Sequence, residues 1–178
     1  MPPKLVLVGL PGAGKSSSGR RLAKILVVPF ADSDDLVEAA DGRPVRTIFT
    51  DSGEAAFREA EAAAVIGALS DFTGVLALGG GALSSPATRE AVAASPVPVV
   101  ELRASLATLG ARVGDGRTRP LLAGAPRERL AELAAERAPH YGELATFSVD
   151  TDGKTPSQVA ATVAARLHDL DRRRDGRR

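Results

Sequence analysis

The chain has 178 residues, 44% of them hydrophobic and 25% charged, with a formal net charge of +1 and no cysteine. This suits one soluble α/β domain with a real core, and it excludes a disulfide framework, a thiolate metal site and a general electrostatic affinity for nucleic acid. Aromatic residues are only 3% and no stretch has the length of an apolar membrane span, so neither base-stacking platforms nor a membrane-spanning helix is expected; MPPK at the start runs into apolar sequence without a signal-like core, which predicts a cytoplasmic chain.

The first element, residues 4–8, is a short apolar run that reads as a buried parallel strand. Residues 9–16, GLPGAGKS, follow at once and match GxxxxGK[ST]. Leu22 and Leu26 then share one face of a predicted helix. In such a loop the backbone of Gly12, Ala13 and Gly14 wraps closely, and with the helix N-terminus it makes an anion nest for phosphates. Lys15 can reach the β- and γ-phosphates and the Ser16 hydroxyl can ligate Mg²⁺. An ordinary glycine turn would need neither side chain.

A second strand is expected at 25–30, ending at the acidic segment 31–35, where Asp34 or Asp35 can cap the helix carrying Leu36 and Val37. Gly42 ends that helix before Pro44. A helical stretch with Val45, Ile48 and Phe49 leads to a turn or cap at 51–54, and a longer helix covers 54–69, with Arg58 beside Phe57 in its first turns. Residues 74–78 are the third strand, followed by Gly79, Gly80 and Gly81, which let another molecule approach the backbone; a flexible turn is the plainer reading. A helix starts at Ser85-Pro86. The fourth strand is 98–102, and a helix from 104 reaches Arg112.

Residues 113–125 break the periodicity and are rich in Gly and Arg. They read either as a segment that closes over a charged ligand or as a surface loop with solvated arginines. A helix at 126–137 is expected to close at Ala138-Pro139, with a fifth strand at 145–149, a turn at 151–156 and a last helix at 157–170. The tail, 171–178, holds five arginines and reads as a solvated, disordered end. Strand–helix alternation predicts one domain, 1–170, with a mostly parallel sheet, helices on both faces and the loops after strands one to three along one edge.

A phosphate loop alone says nucleotide binding. Transfer also needs a metal, a positioned acceptor and cationic charge near the moving group. Asp32 can hold Mg²⁺, and Asp34, one strand period on, can hydrogen-bond an acceptor hydroxyl and take its proton. Arg58 and Arg137 are candidate forks for an acceptor carboxylate, and Arg119 can close over the phosphoryl group. Helix capping for the aspartates and plain solvation for the arginines are the competing readings.

With GLPGAGKSS at 9–17, FADSD at 30–34, F-R at 57–58, LGGGA at 78–82, RPLL at 119–122 and RAPHY at 137–141, the chain resembles the shikimate kinase family over about residues 3–170. The resemblance implies ATP- and Mg²⁺-dependent phosphorylation of the shikimate 3-hydroxyl in aromatic amino acid biosynthesis, by a cytoplasmic monomer. It implies a three-layer α/β/α P-loop kinase fold with a five-stranded parallel sheet in the order 2-3-1-4-5, a substrate-binding helical section at about 34–62 and a lid at about 113–125. It also implies Lys15, Asp34 and Arg119 as catalytic, and Ser16 and Asp32 as metal-binding. The nucleotide falls to residues 12–17, Arg112 and Pro156; shikimate falls to Asp34, Gly79, Gly80, Gly81, Arg58 and Arg137. Ser17 stands where threonine is commoner and keeps the hydroxyl. Around 154–156 the family's usual adenine-side Arg-Asn pair is missing. The alternatives are a kinase for another small hydroxy acid, such as gluconate, and a nucleotide-binding module without transfer.

Overall fold

The computed structural model describes residues 2–113 and 126–175. Strands β1 (Leu5–Val8), β2 (Phe30–Asp32), β3 (Val75–Ala77), β4 (Val99–Arg103) and β5 (Phe147–Asp150) pair in parallel in the order β2-β3-β1-β4-β5, as expected. Every residue of β1 is buried, which is why that strand reads as an unbroken apolar run. Leu5 and Leu7 pack on one side of the sheet with Leu22, Leu109 and Val163; Val6 and Val8 pack on the other with Val65, Leu69 and Val92. Each such side chain contributes about 1.5–3 kcal/mol relative to exposure.

The helices are α1 (Lys15–Leu26), α2 (Ser33–Asp41), α3 (Val45–Asp71), α4 (Pro86–Ala94), α5 (Leu106–Val113), α6 (Pro126–Leu144) and α7 (Pro156–Asp175). Gly53 breaks α3 at φ 82° and ψ 169°, a conformation that favours glycine, where the turn at 51–54 was expected. Val37, Ile48 and Phe57 form a small separate core between α2 and α3. Ser85 accepts from Thr88 N–H and caps α4 with Pro86 behind it.

Most boundaries shift by one or two residues, and three depart further from the sequence reading. Helix α1 runs through Ile25 and Leu26, so β2 begins only at Phe30; Leu22, Ala23 and Leu26 fall at helical spacing on one core, and that packing outweighs the β propensity of the run. Helix α6 passes Pro139 and ends at Leu144. Pro139 is exposed, while Tyr141 and Leu144 pack on the core beyond it, so packing carries the helix past a missing N–H. Helix α7 extends to Asp175, so 171–175 continue it rather than forming a disordered tail; 176–178 lie outside the described residues.

Val27 ends α1 in the left-handed region, at φ 54° and ψ 48°, and is 89% exposed. A β-branched side chain costs about 1–2 kcal/mol there and gains no burial in return. Val27→Asn is expected to stabilise the protein by about 1 kcal/mol, seen as a thermal midpoint raised by roughly 2–4 °C.

Candidate functional site

The loops after β1, β2 and β3 meet at the carboxyl edge of the sheet, where open α/β sheets bind ligands. Gly14 precedes α1 at φ 91°, and no side chain caps the helix, so its first N–H groups face the cleft. Lys15 is 8% exposed, and its Nζ donates to Gly9 O at 2.7 Å and Leu10 O at 3.1 Å. The loop therefore holds its own cation at the nest it forms.

Ser16 Oγ donates to Asp32 Oδ2 at 2.6 Å, while Asp32 Oδ1 accepts from Asp34 N–H at 3.2 Å. Asp32, rather than Asp34 or Asp35, is the cap of α2; one carboxylate does both jobs. Asp34 is pushed up from 3.8 to about 6, first by burial and then by the carboxylates of Asp32 and Glu61, against the pull of Lys15 and Arg58. A carboxyl poised there accepts a proton readily near neutral pH. Lys15, Ser16, Asp32 and Asp34 line a cleft of about 560 Å³ with Gly12, Gly14, Ser17, Gly79, Gly80 and Arg112.

The glycine triplet follows β3 and is crowded on every side. A Cβ on Gly79 would run into Glu61 Oε1 and lie 2.8 Å from Asp34 Oδ1. One on Gly81 would enter the Arg58 guanidinium. Glycine here lets these side chains come close, and none of the three has the positive φ of a glycine-dependent turn. Arg58 lies over the Phe57 ring and donates to Glu61 Oε2 at 2.5 Å and Glu54 Oε1 at 3.4 Å. Arg137 NH1 donates to Gly80 O at 2.6 Å, and Tyr141 OH donates to the same oxygen at 2.9 Å. Leu130, Leu133, Arg137 and Tyr141 recur along one face of α6, which packs Arg137 to 4% exposure. Burial lowers the Arg137 pKa from its usual value and pushes Tyr141 up to about 12. Arg137 Nε is buried with no hydrogen-bond partner among the described residues, a donor without an acceptor.

On the far side of the phosphate loop, Arg112 donates to Thr151 Oγ1 at 2.9 Å, Thr151 O at 2.8 Å and Gly12 O at 3.3 Å. A smaller pocket of about 120 Å³, lined by Ala13, Arg112 and Pro156 among others, opens beside it. The structure thus gathers Lys15, Ser16, Asp32, Asp34, Arg58, Arg137 and the glycine triplet at one edge, with Ser17, Arg112 and Pro156 beside them. Arg119, with the expected lid at 113–125 apart from Val113, lies outside the described residues.

Sequence reasoning missed Ser33, Glu61 and Tyr141. Ser33 is 0% and Glu61 1% exposed. A signal for Glu61 was present: it lies three residues after Arg58, on the helix face of Phe57, Val65 and Ala68, where a charge stands out. Among the described residues no three His, Cys, Asp or Glu side chains cluster as a metal site.

A family model described as Shikimate kinase matches residues 11–168. A shikimate kinase of Salinispora tropica is 50% identical over 167 residues, covering 94% of this chain and 99% of that protein. A shikimate kinase of Mycobacterium avium is 48% identical over 173 residues, covering 96% of this chain and 97% of its own. Among solved structures, the shikimate kinase from Acinetobacter baumannii in complex with shikimate gives a TM-score of 0.90 at 32% identity, covering 96% of this chain and 94% of that one.

Proposed function

This chain belongs to the shikimate kinase family, and on that premise we propose how its own residues divide the work. It is an ATP-dependent kinase that phosphorylates shikimate. The 3-hydroxyl is the acceptor in this reading, with shikimate 3-phosphate and ADP as products. The observation that carries the assignment is the order of contacts along three consecutive glycines: the Asp34 carboxylate at Gly79, Arg137 on Gly80 O and the Arg58 guanidinium at Gly81. A proton acceptor at Gly79 and guanidinium groups at Gly80 and Gly81 suit one small molecule that carries both a hydroxyl and a carboxylate. Asp34 takes the hydroxyl proton, Arg58 and Arg137 grip the carboxylate, and the backbone of Gly80 and Gly81 contacts the ring substituents, with Gly79, its N–H held by Ser33, beside them.

On the nucleotide side, the backbone of Gly12, Ala13 and Gly14 with Ser17 cradles the phosphates, and Lys15 and Arg119 offset charge on the transferring group. Arg112 and Pro156 flank the base. Ser16 and Asp32 fit a magnesium ion, because they present two hard oxygen donors 2.6 Å apart at the loop's mouth. Such an ion, when bound, neutralises phosphate charge and orients the oxygens. Among the described residues no helix is long and apolar enough to cross a membrane; we place the enzyme in the cytoplasm as a monomer, with 113–125 as its lid.

Arg58→Ala tests the carboxylate clamp. Charge-assisted hydrogen bonds are worth about 1.5–3 kcal/mol each, so calorimetry is expected to show shikimate binding weakened roughly ten- to a hundredfold, with about 1.4 kcal/mol per tenfold. An ATP analogue should bind within about twofold of wild type, since Arg58 stands on the acceptor side. Arg58→Lys should recover only part of the loss, because an ammonium lacks the planar fork. Unchanged shikimate affinity, or equal weakening of both ligands, contradicts the assignment.

A further inference from the structure

Ser33 has no exposed surface, and it stands between Asp32, which faces the phosphate loop, and Asp34, which faces the acceptor. Its Oγ accepts from Gly79 N–H at 2.7 Å and donates to Glu61 Oε1 at 3.4 Å. The other Glu61 oxygen takes NH1 of Arg58 at 2.5 Å. A hydroxyl has one proton to give and a backbone N–H can only donate, so the direction of this chain is fixed from Gly79 through Ser33 to Glu61. Glu61 is 1% exposed, so protein groups rather than bulk water orient its carboxylate. Its Oε1 also occupies the space that a Cβ on Gly79 would need. Turning that carboxylate would therefore move the glycine segment and Arg58 together.

We propose that Ser33 is a positioning residue for the acceptor: its hydroxyl locks Gly79 and, through Glu61, the Arg58 guanidinium into one frame. The role rests on the reading of Arg58 as a carboxylate grip. Without the hydroxyl, Gly79 N–H loses its buried partner and Glu61 keeps only its arginine. Arg58 then samples orientations that no longer match a planar carboxylate, while the phosphate loop is untouched.

The test compares Ser33→Thr with Ser33→Val, side chains of nearly one shape that differ by the hydroxyl, each with Arg58 present and with Arg58→Ala. A packing defect would affect both variants alike. The expected result is a KM for shikimate about 5–20-fold higher for Val than for Thr, with the KM for ATP within about twofold and no further rise in the Arg58→Ala background. Should the β-branched pair fail to fold, Ser33→Ala against wild type is measured in the same two backgrounds. Equal shikimate KM values for Thr and Val overturn the proposal, as does a Val effect that persists in full without Arg58. If Arg58→Ala alone leaves the shikimate KM unchanged, the carboxylate grip has failed and this role falls with it. A rise with Arg58→Ala but none with Ser33→Val removes the Ser33 role alone.

Discussion

Lys15→Ala is expected to lower kcat by about a thousandfold or more, with circular dichroism and chromatographic behaviour unchanged. The magnitude follows from the chemistry. Phosphoryl transfer leaves the protein little covalent work, so positioned cations supply much of the stabilisation, and one preorganised donor or cation is worth about 10²–10⁵ in rate. Lys15 is the cation at the nest itself, held against Gly9 O and Leu10 O within reach of the loop's mouth. Those bonds also predict a smaller structural cost, because Ala leaves two carbonyl oxygens short of a donor. That cost falls on stability, whereas the main loss falls on turnover. Lys15→Arg should rescue poorly, since the guanidinium does not fit a site shaped for one ammonium. A folded Lys15→Ala protein with near-wild-type kcat contradicts the role.

Asp34→Asn is expected to separate activity from stability. Loss of a positioned general base costs roughly 10²–10⁴ in kcat. Stability should move the other way. Asp34 sits near pKa 6 against an ordinary 3.8, so ionising it in the folded protein is unfavourable. The folded state binds its proton more tightly than the unfolded chain does, so stability from this group falls as pH rises from about 4 to 6. A shift of about two units corresponds to roughly 3 kcal/mol at most. Asp34 also lies in the first turn of α2, where a negative charge is worth about 0.3–1 kcal/mol to the helix, and partial exposure screens the penalty further. The net expected gain for Asn is about 1–2 kcal/mol near pH 7.5, read as a higher thermal midpoint. It should vanish below about pH 4, where the wild-type group is protonated in both states. In the same frame, wild-type kcat/KM for shikimate should rise with pH on the acid side of neutrality, as the Asp34 carboxyl ionises, and then level. An Asn variant that is less stable at pH 7.5 contradicts the electrostatic account of this site.

Much of the candidate site was legible because it is built from uncommon residue patterns. The phosphate loop at 9–16, the aspartates at 32 and 34 and three consecutive glycines each stand out in the chain as an uncommon backbone or charge pattern. Strand–helix alternation carried the layers and the parallel sheet, while the strand order came from family resemblance and the pairings agree with it. What stayed hidden was tertiary. The run at 25–30 is rich in β-branched and apolar residues, and only packing against the core shows that its start belongs to α1. Pro139 looks like a helix end until Tyr141 and Leu144 are seen buried beyond it. Ser33 carries no mark in sequence beyond sitting between two aspartates, and its importance lies in a Gly79 N–H that is 46 residues away. Arg137 was visible as a candidate cation, but not its bond to Gly80 O, which comes from the way α6 joins both sides of the core.

The central claim is that this chain moves the terminal phosphoryl group of ATP to shikimate. Coupled measurement of ADP release, with shikimate and gluconate compared side by side, tests it most directly. ADP release that depends on added shikimate, with kcat/KM at least about a hundredfold above that for gluconate, is the predicted result; the margin follows from a carboxylate grip and a hydroxyl acceptor set for one geometry. ADP release indifferent to shikimate, faster with gluconate, or absent with both acids and intact ATP binding contradicts it.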